Sequence, residues 1–82
     1  MIKVLFFAQL RDQLGVSELT VESDDNPNVQ ALLNNLKHKD AHWGQILSHA
    51  TLMVAINQTI SNKTATLSNG DEVAFFPPVT GG

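Results

Sequence analysis

The chain has 82 residues, enough for one domain and no second. Apolar residues make up 43%, too many for intrinsic disorder. Five basic residues against eight acidic ones give a net charge of −3, which argues against a nucleic-acid partner and for one with a basic surface.

Ile2 to Ala8 is a near-continuous apolar run rich in β-branched and aromatic residues, so a strand is predicted. Its apolar character on both faces predicts a central strand covered on both sides. No charged segment followed by a long apolar stretch opens the chain, so no signal peptide is read. No apolar run approaches the ~20 residues of a membrane span. The expected location is therefore the cytoplasm, with no membrane partner.

Leu10 and Leu14, four apart and followed by Gly15, predict a short helical turn with a glycine stop over Gln9–Leu14. Glu18 to Glu22 alternates, with Leu19 and Val21 on one face of a half-exposed strand. Asp24-Asp25-Asn26-Pro27-Asn28 is a turn that can also cap a helix. It lacks the alternating ligands, glycine and distant glutamate of an EF-hand calcium loop.

Val29, Leu32, Leu33 and Leu36 place the main helix over Val29–Lys39. Trp43, Ile46 and Leu47 predict a second, shorter helical piece over His42–Leu47. Leu52 to Ile56 reads as a buried strand, and Asn57-Gln58 as a hairpin turn into a short strand near Thr59-Ile60. Asn69-Gly70 is a strong turn signal. Glu72 to Phe76 is the last strand, stopped by Pro77-Pro78. Residues 1–78 are then one domain, and 79–82 a flexible C-terminal tail.

One main helix covers one face of a sheet, so the fold class is α+β. The first and last strands are the most apolar, which makes them central neighbours. A right-handed crossover through the helix lets them run parallel. A mixed sheet packed on one main helix in this way is the β-grasp, or ubiquitin-like, arrangement.

Sites for catalysis are scarce. Cysteine is absent, which excludes disulfides, thiolate metal sites and cysteine nucleophiles. The sequence holds no G-x-S-x-G, Walker loop or H-E-x-x-H motif. His38 and His42 have a spacing that can hold a metal on a helix, but no further ligand pair lies nearby, and His49 stands alone. They read as surface histidines, and no bound metal or cofactor is expected. The acidic residues are scattered, without the apolar surround that general acid catalysis uses.

The C-terminus is more informative. Gly81-Gly82 follows the last core strand through a stiff diproline. Pro78 to Gly82 reaches about 16 Å, enough to carry an α-carboxylate into another protein's pocket. Glycines lack Cβ and pass a narrow channel. The carboxylate of Gly82 therefore reads as a chemical handle.

Strand parity supplies a docking surface. If Ile2, Val4 and Phe6 face the helix, then Lys3, Leu5 and Phe7 point away from it. Val73 and Phe75 then face in, and Ala74 and Phe76 out. This brings Phe7 and Phe76 together on the helix-free face, with Ile60 joining them from the short strand. Clustered apolar groups there predict an interface, unless the Gln9–Leu14 segment or loops cover them. Arg11, beside the patch, can pair with a partner carboxylate.

The opening MIKVLFFAQLR, the stretch AINQT at Ala55–Thr59 and the ending NGDEVAFFPPVTGG resemble the family of molybdopterin synthase small subunits, ubiquitin-like sulfur carriers. The resemblance spans the whole chain and is least distinctive over Glu22–Leu52. It implies a β-grasp fold and a role in molybdenum cofactor biosynthesis. By the same resemblance, an adenylyltransferase of the ubiquitin-activating type consumes ATP to adenylate Gly82. A sulfur donor then displaces AMP, leaving a thiocarboxylate. The tail, with Gly81 as its channel-fitting neighbour, enters the large subunit of the synthase and gives sulfur to cyclic pyranopterin monophosphate.

Two small and two large subunits are implied, with the catalytic side chains on the large one. Phe7, Arg11, Ile60 and Phe76 match the positions expected to pack on partners. Within the same class, a carrier for thiamine or another thiolated product shares the Gly-Gly tail, but the Phe-Phe-Pro-Pro-Val run favours the pterin pathway. A ubiquitin-like protein modifier and a plain interaction domain are the remaining alternatives.

Overall fold

The computed structural model describes residues 1–49 and 51–78. Eight elements follow one another: β1 (Ile2–Phe6), α1 (Ala8–Leu14), β2 (Glu18–Val21), α2 (Val29–Lys37), α3 (Ala41–His49), β3 (Met53–Ile56), β4 (Thr59–Ser61) and β5 (Glu72–Phe76). The strands form one mixed sheet in the order β2-β1-β5-β3-β4. β1 and β5 are central and parallel, and the other pairs are antiparallel. This is the expected α+β, β-grasp arrangement.

The core forms on one face of the sheet. Ile2, Val4 and Phe6 of β1 and Val73 and Phe75 of β5 are buried there, with Val29, Leu32, Leu33 and Leu36 of α2 against them. Trp43 and Leu47 of α3, Leu10 and Leu14 of α1, Val54 of β3 and Leu67 complete the cluster. Phe6 sits between two rings, edge-on to Trp43 at 5.6 Å and stacked on Phe75 at 6.2 Å. These contacts fix the end of β1 where α1 departs.

β1 is not covered on both faces as its composition predicted. All its core contacts lie on the helix side; Leu5 is only half-buried and Phe7 is exposed. Its second apolar face is a surface rather than a second core layer.

The helix boundaries follow from their caps. The Asn28 side chain accepts the Ala31 N–H at 2.8 Å and starts α2. α2 ends two residues before the predicted Lys39, because Asp40 caps the next helix by accepting the Trp43 N–H at 2.8 Å. α3 is in turn longer than the predicted His42–Leu47 piece. Gly15 closes α1 at φ +79° with its N–H on the Arg11 carbonyl at 2.9 Å, as its position predicted. β3 starts at Met53, one residue later than read.

Candidate functional site

The strand registers decide which side chains share the face away from the helices. Leu5 stands opposite Glu18 on one side and Ala74 on the other; Ala74 stands opposite Ala55, and Ala55 opposite Ile60. This row runs across all five strands. In the next row Met53 faces Phe76. Phe7 extends β1 beside Phe76, its N–H donating to the Phe75 carbonyl at 3.2 Å. Phe7 is 45% exposed and Ile60 61%. Leu5, Met53, Ala74 and Phe76 are half-buried between them.

Three strand spacings separate the strands of Phe7 and Ile60, about 14 Å. The face is therefore a broad apolar patch rather than a point contact. It is also graded along the strands. At the far end Lys3 stands opposite Thr20 and Glu72, so that end is polar. The apolar end is the one where β5 hands the chain to Pro77 and Pro78. A partner covering the patch thus sits at the root of the tail.

Local backbone geometry keeps this face open. Phe7 is extended (φ −120°, ψ 158°), and Ala8 then adopts φ +56°. That left-handed residue lets α1 begin directly after the strand. α1 turns Leu10 and Leu14 into the core and contacts α3 and β5. The Gln9–Leu14 segment therefore packs with the helices and leaves Phe7 exposed. Arg11 follows Phe7 by four positions on α1. Its side chain is 53% exposed, and its one ion-pair contact among the described residues is the neighbouring Asp12 carboxylate at 4.0 Å, which contributes little. Met53 and Ala55, which join the Phe76 and Ile60 ends of the patch, were not among the sequence candidates. β3 is apolar throughout, so the register with β5 and β4, rather than any pattern in the sequence, places them on this face.

At the tail root, Pro77 and Pro78 line a groove of about 590 Å³ together with Leu10, Gln13, His42 and Ile46. His42 Nε2 lies 2.8 Å from the Gln13 carbonyl and ties α3 to the end of α1. His38 Nδ1 lies 2.6 Å from the Asn34 carbonyl. The two histidines flank the α2–α3 turn rather than one continuous helix, and each is engaged by a different carbonyl. Among the described residues no group of three or more His, Asp or Glu comes together in a way that could hold a metal. Gly81 and Gly82, and the tail 79–82 as a whole, lie outside the described residues, as does the environment of His49.

Similarity to known proteins is consistent with this geometry. The model of the ThiS family matches residues 4–82. The molybdopterin synthase sulfur carrier subunits of Haemophilus influenzae and Escherichia coli are each 46% identical to the chain over 82 residues, covering all of it and all of each relative. Among solved structures, the protein–protein complex of subunits 1 and 2 of the molybdopterin-converting factor from Helicobacter pylori holds a chain of the same fold. That chain superposes with a TM-score of 0.70 at 22% identity, over 99% of this chain and 97% of that one. With a family match over nearly its full length and relatives this close, the chain belongs to the ThiS family, together with the molybdopterin synthase sulfur carrier subunits.

Proposed function

We propose that the chain is the sulfur carrier subunit of a molybdopterin synthase. The end-to-end match to relatives of that name carries this reading. The apolar face ending at the tail root is what such a carrier needs, because a partner must hold the domain while it works on the last residue. In this reading Phe7, Ile60 and Phe76 pack on the large subunit, and Arg11 meets a carboxylate of a partner beside them. Two small and two large subunits make up the working assembly.

The chemistry belongs to Gly82. A free carboxylate is a poor electrophile. An adenylyltransferase partner forms the Gly82 acyl-adenylate from ATP and releases pyrophosphate. A hydrosulfide-equivalent donor then attacks the acyl carbon, the acyl–phosphate bond breaks, and AMP leaves with the electron pair. The product is a thiocarboxylate at Gly82. The Gly81-Gly82 end, without Cβ atoms, threads the large subunit and delivers sulfur to cyclic pyranopterin monophosphate. This chain supplies the handle and the docking face, and the large subunit supplies the catalytic side chains. The assembly works in the cytoplasm, where ATP is at hand.

The absence of cysteine makes the test clean. The protein is incubated with an activating enzyme, ATP and a sulfur source, then treated with a thiol-selective alkylating reagent. One ATP-dependent label is expected, mapping to Gly82. No label, with a known carrier activated in parallel, overturns the sulfur-carrier reading and favours a modifier or a binding module. The reagent also separates a thiocarboxylate from oxidation of Met1 or Met53, which adds nearly the same mass as exchange of oxygen for sulfur.

A further inference from the structure

β2 is an edge strand, and among the described residues no strand pairs with its outer side. The Phe6 N–H donates to the Ser17 carbonyl at 2.9 Å, and Val4 and Ile2 stand opposite Leu19 and Val21. Antiparallel alternation therefore turns the backbone groups of Leu19 and Val21 toward β1, and those of Glu18 and Thr20 outward. Neither Glu18 nor Thr20 has a backbone partner on that side among the described residues. At Glu22 the outward carbonyl is already taken by the Asn26 side chain at 2.6 Å. Asn26 is only 3% exposed and accepts from Asn35 of α2 at 2.9 Å, so this end of the edge is fixed to the main helix.

Beside this edge lies a groove of about 580 Å³ between β2 and α2. Val21, Leu32 and Leu36 line its apolar part; Glu22 and Asp25 border it. An incoming strand would lay alternate side chains into the groove and the others beside Glu18 and Glu22.

Charge selects the occupant. Residues 18–25 hold Glu18, Glu22, Asp24 and Asp25, half of the chain's eight acidic residues, and no basic one. Among the described residues none of these four has an ion-pair partner. Lys39, also at the groove, holds its ammonium 5.6 Å from the Trp43 ring centroid instead. A second copy is disfavoured. Two β2 strands paired antiparallel about Thr20 would set Glu18 against Glu22 of the other copy, twice, and like charges directly opposite repel.

We propose that the β2 edge and its groove bind an extended segment of a partner protein by strand addition, with aliphatic side chains entering the groove and lysine or arginine flanking them opposite Glu18 and Glu22. The site lies at the sheet edge farthest from β4; its groove is on the helix side, while Glu18 shares the outer face with Leu5. The proposal does not rest on the sulfur-carrier reading.

The probe is the capped peptide Lys-Val-Thr-Ile-Lys, whose charges match both Glu18 and Glu22 in an antiparallel pairing. In an NMR titration of the full chain, amide shifts are expected along Glu18–Glu22 and on the α2 residues of the groove. Binding should weaken with added salt. Thr20→Pro removes the central outward N–H at an edge position where proline is tolerated, and should abolish the shifts. Glu18→Lys with Glu22→Lys should weaken binding about tenfold and transfer the preference to Glu-Val-Thr-Ile-Glu, which keeps the test decisive if the proline variant fails to fold.

No shift on β2 in large peptide excess, equal affinity across the charge swap, or shifts centred on Phe7 and Ile60 would each overturn the proposal. A concentration-dependent dimer abolished by Thr20→Pro would overturn it too, by assigning the edge to a second copy.

Discussion

Ala8 shows how much one backbone angle decides. An L-residue at φ +56° crowds its Cβ against the backbone, at a cost of about 1 kcal/mol. The strain is local, but its result is to separate two neighbours. Phe7 stays with the sheet on the outer face, while Leu10, three residues on, enters the core. Ala8→Gly should relieve the strain and raise unfolding stability by up to about 1 kcal/mol, read from the urea midpoint. Ala8→Val, with a branched Cβ, should lower it by more than that. An unchanged midpoint in both variants would mean that the position is not strained. The sequence carries no sign of this angle, since alanine is not a residue that advertises a left-handed conformation. The glycine at position 15, which does, was readable in advance.

At the scale of elements, legibility tracks how local the cause is. α2 is encoded by its own apolar spacing and by Asn28 as a cap, and both were visible. The α2–α3 boundary depends on Asp40 serving the following helix, a choice between two continuations that periodicity alone does not make. The β3–β4 hairpin was visible in Asn57-Gln58, and both residues adopt positive φ, 50° and 70°, as a two-residue turn of this hand requires. Asn57 is further tied down. Its side chain donates to Asp71 and accepts the Glu72 N–H, each at 3.0 Å. Among the described residues the Gln58 side chain has no such ties, and it bears a left-handed φ of 70° without them. Gln58→Gly should therefore stabilise the domain by about 0.5–1 kcal/mol and raise Tm by several degrees. Asn57→Gly should gain less or lose, because it forfeits two hydrogen bonds. Calorimetry of the two variants side by side checks the asymmetry.

For the whole molecule, the alternation of β1 and β5 assigns adjacent residues to different tasks. Phe6 and Phe75 stack in the core, while Phe7 and Phe76 belong to the outer face. The parity of the apolar runs revealed this division, and the central placement of the first and last strands followed from their composition. The β2 groove was not legible, because it depends on how far α2 stands from the edge strand.

The outer face adds little to the core, so changes there should separate stability from docking. Ile60, on a short edge strand and 61% exposed, is the cleanest position. Ile60→Lys should leave unfolding stability within about 0.5 kcal/mol of the parent. If the proposed face docks the large subunit of a molybdopterin synthase, the same change sets a charge against an apolar surface. Affinity should then fall by about 2 kcal/mol or more, roughly thirtyfold, in calorimetric titration with that subunit.

Phe75→Ala, in the core, should instead cost about 3–5 kcal/mol of folding, a large share of what a domain of this size holds. A variant at Ile60 that loses stability but keeps its affinity would assign the apolar face to folding rather than to recognition. Loss of affinity in a fully folded Ile60→Lys protein would tie the patch to the partner that receives the tail.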